Sequence, residues 1–178
     1  DCSGALVGEG TGAELATDGI PASVIDNTTT TFSAMAFDKE GNKSPCSSTT
    51  VTYIEDSTPP AAPTVNAATN PPSPGKSLIQ RLSGTAEART TIQIFKNADC
   101  EGAPAVTGSA ADFALNSASG GIAVNVTNNT TTTLSVRAVD VAGNNSACAT
   151  PSIAYTADNA SIAPALTATA PASPANNN

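Results

Sequence analysis

Residues 122–148 read IAVNVTNNTTTTLSVRAVDVAGNNSAC, and the order of apolar and polar side chains in them decides the fold class. Ile122, Val124 and Val126 alternate with Ala123, Asn125 and Thr127, and Leu134, Val136 and Ala138 alternate with Ser135 and Arg137. Successive side chains of a strand point to opposite faces, so a period of two marks a half-buried strand; a helix would space its apolar residues three or four apart. Asn128-Asn129 and Ala142-Gly143-Asn144 punctuate these runs with residues suited to turns and to positive φ. Upstream, Ile92 and Ile94 alternate with Thr91, Gln93 and Phe95, and Gly84, residues 97–102 and Gly120-Gly121 supply further turns. No segment shows a helical stripe. About seven strands are expected between residues 58 and 157, as a Greek-key β-sandwich requires.

The same pattern occurs earlier in the chain. Residues 27–32 (NTTTTF) match 129–134 (NTTTTL), and 36–42 (AFDKEGN) match 138–144 (AVDVAGN). Ser44 and Cys46 match Ser146 and Cys148, and residues 1–5 (DCSGA) match 99–103 (DCEGA). Tyr53 and Asp56 correspond to Tyr155 and Asp158, while 62–65 and 71–74 (APTV, PPSP) return as 163–166 and 171–174 (APAL, PASP). The period is about 100 residues, the size of one sandwich domain. Its phase makes 1–57 the C-terminal half of a repeat, 58–157 a complete repeat and 158–178 the N-terminal start of a third.

Composition narrows the class. Of 178 residues 39% are hydrophobic but only 3% aromatic, with no Trp, so the core must be built of Val, Ile, Leu and Ala, which suits thin sandwiches. A net charge of −8 without a basic stripe repels a phosphate backbone, so no nucleic-acid partner is expected. The longest apolar runs are broken well before the roughly 20 residues of a membrane span. Four cysteines fall at matching places in the two copies, Cys2 with Cys46 and Cys100 with Cys148, and the chain has no His. Zinc sites of the Cys/His type lack their parts, which leaves two disulfides formed in an oxidising compartment.

An enzyme is not expected. Without His, catalysis would rest on Ser, Asp, Glu and Lys, and neither a GxSxG elbow nor a Ser-x-x-Lys motif occurs. Gly8-Glu9-Gly10-Thr11-Gly12 and Gly120-Gly121 look like phosphate loops, but no Lys follows them and no strand-to-helix passage is predicted, so they read as turns. The Thr runs 28–31 and 130–133 read as polar loops entering strands. The Asn-x-Ser/Thr triplets at Asn27, Asn42, Asn125, Asn129, Asn144 and Asn159 are what a chain rich in Asn and Thr generates by chance.

Three elements carry a resemblance: the proline-rich stretch DSTPPAAPTV at 56–65, Gly84-Thr85-Ala86-Glu87-Ala88, and the hairpin Val139-Asp140-Val141-Ala142-Gly143-Asn144. Together they resemble the bacterial immunoglobulin-like repeats of large adhesins and other surface proteins. The cysteine pair, and Arg89 where glycine is usual after Ala-Glu-Ala, depart from the commoner pattern. The resemblance implies an all-β chain of tandem immunoglobulin-like Greek-key β-sandwich repeats, extracellular or at the cell surface. It implies a stalk or fibre segment whose partners are neighbouring repeats and other copies in a fibre. A glycan- or protein-binding module, or a filament subunit joined through exposed strand edges, is the alternative. In such a topology the incoming linker, the loop before the third strand and the last hairpin share one pole. Asp56, Glu87 and Asp140 lie in those three segments, and similar repeats stiffen their junctions with calcium, which accepts carboxylates beside carbonyls and water. The competing reading, three solvated turn acids with Asp140 bonding its own hairpin, stays open.

Overall fold

The structure, a computed structural model, describes residues 2–115 and 120–167. The PASP match at 171–174 and the end of the 158–178 segment lie outside the described residues. Strands in small antiparallel sheets dominate, with two short helices. The chain divides by its contacts into two units, Asp1–Pro60 with Asp140–Asn145, and Ala61–Val139 with Ser146–Asn178.

In the first unit α1 (Gly12–Thr17) precedes one antiparallel pair, β1 (Thr29–Phe32) with β2 (Val51–Ile54), in the register Thr29 opposite Ile54 through Phe32 opposite Val51. The helix corrects the expectation of turns alone. The Thr11 hydroxyl accepts the N–H of Glu14 at 3.2 Å, and the Glu14 carboxylate accepts the N–H of Thr11 at 2.7 Å. That reciprocal capping box starts a helix too short to show an apolar stripe. No described residue from 2 to 59 is buried.

The second unit holds β3 (Thr64–Val65), β4 (Ile79–Leu82), β5 (Gly84–Thr85), β6 (Thr91–Phe95), β7 (Val106–Ser109), α2 (Ala110–Phe113), β8 (Ile122–Asn125), β9 (Thr130–Val139) and β10 (Ile153–Ala157). Four strands form one sheet in the order β10-β9-β6-β7, and β4 pairs with β8 and β3 with β5, all antiparallel. β9 changes partner along its length. Residues 130–134 face β10 and 135–139 face β6. The alternation read in the sequence is the one that builds the core: Ile92, Ile94, Leu134, Val136, Ala138, Ile153 and Tyr155 pack with Leu82, Ile122 and Val124. Burying each large aliphatic side chain contributes about 1.5–3 kcal/mol, so these residues dominate the unit's stability. Gly84 is where β3 and β5 approach Phe113; a Cβ there would collide with the Thr64 carbonyl and the Phe113 ring.

Two positions differ from strict alternation. Phe95 and Ser135, expected on the solvent side of their strands, are buried at 0% and 1% exposure. The residues after β6 turn back over that side and cover it. A third core position is polar: Gln80 is 1% exposed, opposite Val124, and its Oε1 has no partner among the described residues.

Candidate functional site

The covering of Phe95 and Ser135 is built from a turn and a disulfide. Cys100 adopts φ 58° and Gly102 φ 75°, which reverses the chain after β6. The Cys100 N–H is donated to Asn97 Oδ1 at 3.0 Å and to Ser135 Oγ at 3.2 Å. Cys100 is bonded to Cys148 with their Cα atoms 5.8 Å apart. The bridge joins the segment leaving β6 to the one leading into β10, on opposite flanks of β9, and passes Ser135 between them. Beside it the Arg137 guanidinium lies 5.0 Å from the centre of the Phe95 ring and its Nε donates to Gln93 Oε1 at 2.8 Å. A guanidinium over an aromatic face supplies a cation–π contact and shields the ring from water. In the first unit Cys2, at φ 51°, is bonded to Cys46 across a Cα separation of 5.7 Å.

The hairpin acids are engaged by their own loops. Asp140 Oδ1 accepts the N–H groups of Ala142 at 2.9 Å and Asn144 at 2.8 Å, and Oδ2 accepts Asn144 Nδ2 at 2.9 Å. Asp38 accepts the N–H groups of Glu40 at 3.0 Å and Asn42 at 2.8 Å, and Asn42 Nδ2 at 2.8 Å. Gly41 and Gly143, at φ 84° and 97°, close the two loops. The Asn42 side-chain amide, followed by the Asn42 N–H, holds the Asp38 carboxyl below its ordinary range. Desolvation pushes the Asp140 carboxyl up, but the Asn144 amide and the N–H groups of Asn144, Gly143 and Ala142 together outweigh it and hold it low.

These contacts form one set that occurs twice, with residue numbers shifted by 102 (29 to 131, 54 to 156) in the paired strands. Thr30 opposite Tyr53 becomes Thr132 opposite Tyr155. The Ala36 N–H donated to Ser44 Oγ at 2.9 Å becomes Ala138 to Ser146, also at 2.9 Å. Asn27, at φ 57°, accepts the N–H of Ser57 at 3.0 Å, and Asn129, at φ 52°, that of Asn159 at 2.8 Å. Cys2 lies 3.5 Å from Ser33 Oγ as Cys100 lies 3.4 Å from Ser135 Oγ. Sequence reading matched Asn27 with Asn129 at the start of the Thr runs but not Ser33 with Ser135, and assigned none of the four a structural role. The signal present was their recurrence at the same spacing from Cys46 and from Cys148.

Each of the three acids expected to meet at a calcium site accepts a main-chain N–H, Asp56 and Asp140 from nearby residues and Glu87 from residue 61. Asp56 accepts the Thr58 N–H at 3.1 Å, and its carbonyl takes Asn144 Nδ2 at 2.8 Å. Glu87 accepts the Ala61 N–H at 3.2 Å. Among the described residues no group of three or more His, Cys, Asp or Glu side chains is arranged to hold a metal ion. Asp140 bonds its own hairpin, as the competing reading has it. No described helix is long and apolar enough to cross a membrane. The two disulfides suit an oxidising, non-cytoplasmic environment. No protein-family model matches the chain, and no curated protein is recognisably similar to it.

Proposed function

We propose that this chain is a structural stalk or fibre segment of a long secreted bacterial cell-surface protein, built from tandem immunoglobulin-like Greek-key β-sandwich repeats of about 100 residues. On this reading residues 1–57 are the later half of one repeat, 58–157 a complete repeat and 158–178 the opening of the next. The protein is non-enzymatic, and its repeats space a distant binding element from the cell. The observation that carries the proposal is the recurrence, about 100 residues on, of one framework of strand register, Asp-capped hairpin, buttressing serine and disulfide. Repetition of a load-sharing framework serves spacing, because each unit adds length without adding a new site. The bacterial and surface assignments rest on the resemblance carried by residues 56–65, 84–88 and 139–144.

Electron microscopy of the native surface material, labelled with antibody against residues 58–157, tests it together with a glycan array. The expected result is regular thin projections decorated along their length and no saturable glycan binding by the 58–157 unit. Saturable binding of one glycan class by that unit would replace the stalk reading with the binding-module alternative.

A further inference from the structure

Residues 71–77 read PPSPGKS, and proline has no N–H to give to a ladder, so the segment forms no strand of its own. It is nevertheless tied to β10, and in the parallel sense, with Gly75 opposite Ala157. The Gly75 N–H is donated to the Thr156 carbonyl at 3.0 Å, and the Asp158 N–H to the Gly75 carbonyl at 2.8 Å. Residues between and after the prolines extend the seam. The Thr156 N–H is donated to Ser73 Oγ at 3.0 Å, the Tyr155 hydroxyl to the Ser77 carbonyl at 3.1 Å and Asn159 Nδ2 to the Lys76 carbonyl at 3.2 Å. A Cβ at Gly75 would collide with the Pro72 carbonyl and the Tyr155 hydroxyl, so only glycine lets the two segments come this close.

The direction of this pairing matters, because residues 73–77 belong to the opening of the unit and β10 closes it. Tension along the chain draws residues 73–77 toward their N-terminal side and β10 toward its C-terminal side. On parallel neighbours these are opposite pulls along one line, so the bonds of the seam are sheared together. A pull across the strands would instead open them one after another. Sharing the load raises the barrier to opening, and forced opening is governed by the rate over that barrier. The Cys100–Cys148 bridge lies on the same path. Its cysteines are 48 residues apart, and tension crosses between them through the sulfurs, so β7, α2, β8 and β9 sit in a covalent loop that cannot be drawn out. Extended, that loop would add about 160 Å.

We propose that the seam between residues 73–77 and β10 is the element that carries tension through this repeat, and that the Cys100–Cys148 bridge is the stop that limits how far the repeat lengthens once the seam gives way. The loop keeps Phe113, Ile122, Val124, Leu134 and Val136 of the core near one another in the lengthened state, which shortens the search for the closed one. The inference rests on the stalk reading above, since only a segment held at both ends is loaded along its chain.

The test pulls the full chain in an optical trap through bio-orthogonal handles at exposed positions. Handles at Ala62 and Ala160 load the seam in shear, and handles at Lys76 and Ala160 peel it from one end. At one loading rate the first pair is expected to open at a force at least about twofold higher than the second. Equal forces, or a weaker first pair, overturn the seam. Reductant introduced after the seam has opened between Ala62 and Ala160 is expected to release about 160 Å more chain. Full length reached without reductant, or no further lengthening with it, overturns the stop. Unequal forces together with electron microscopy that shows no projections keep the seam and discard the stalk reading.

Discussion

Tyr155 and Tyr53 hold the same place in the strand ladder, opposite Thr132 and Thr30, yet Tyr155 is fully buried and Tyr53 is 51% exposed. The backbone pairing is common to both, so the difference lies in what lies over the face. Tyr155 has Ser77 as a hydroxyl partner and a core of Ile, Leu and Val around it.

That contrast predicts the outcome of truncation. Residues 58–157 alone are expected to melt cooperatively, because every residue of the core cluster lies within them. Residues 1–57 alone, with nothing buried from 2 to 59, are expected to show no cooperative transition. Differential scanning calorimetry of the two fragments decides it; a sharp heat-absorption peak from 1–57 would mean that the repeat boundaries are misplaced.

Replacing Cys100 and Cys148 together by Ser is expected to destabilise the 58–157 unit by about 2–5 kcal/mol, the range for a native bridge closing a loop of this length. Urea denaturation of the double variant measures it. The loss is expected to be accompanied by exposure of Phe95, since the turn at Cys100 lies over the same side of the sheet. Fluorescence quenching at an unchanged Phe95 environment would contradict this.

Gln80→Met is expected to stabilise the unit by about 1 kcal/mol. Gln80 sits at a core position with an unpaired Oε1, and an unmet buried polar group costs about 1–3 kcal/mol that a volume-matched apolar side chain does not incur. A lower urea midpoint for the variant would show that Oε1 is satisfied in solution.

Acid sensitivity follows from the hairpins. Asp140 and Asp38 have folded-state carboxyls held below their ordinary value of 3.8, so their stabilising contribution is complete above that value and is lost as pH falls through the lowered folded one. The melting temperature of the chain is therefore expected to fall below about pH 4, and Asp140→Asn is expected to flatten the fall. A variant as acid-sensitive as the parent would locate the titration elsewhere.

Calcium is the last case. Asp140 already accepts three protein donors, and Asp56 and Glu87 each cap a main-chain N–H, so a cation would have to displace those bonds. The expected melting temperature is the same in millimolar calcium and in chelator. Binding heat in calorimetry that disappears in Asp56→Asn would establish a calcium site there.

The period-two alternation in 122–127 and 134–138 was enough to place Ile122, Val124, Leu134, Val136 and Ala138 in the core, because side-chain direction in a strand is fixed by backbone geometry alone. The cysteine pairs were legible for a similar reason: recurrence fixed which cysteines belong together. The short helices were not, since a capped turn of four to six residues leaves no periodic trace. Nor was the burial of Phe95 and Ser135. The sequence puts them on the outer side of their strands, and only a positive φ at Cys100, folding the chain back across that side, turns it into an interior.

By itself, then, the sequence determined the strand character, the repeat spacing of the framework and the residue types available for chemistry, all properties set by local periodicity and composition. Only the tertiary structure decided which faces are covered. Coverage depends on segments distant in the chain, as with β6 beside β9, and no local pattern records where the complementary strand lies. Among the acids singled out in the sequence, Asp56 and Asp140 accept main-chain N–H groups two to four residues on, whereas Glu87 accepts that of Ala61, 26 residues back, a partner that only the folded chain supplies.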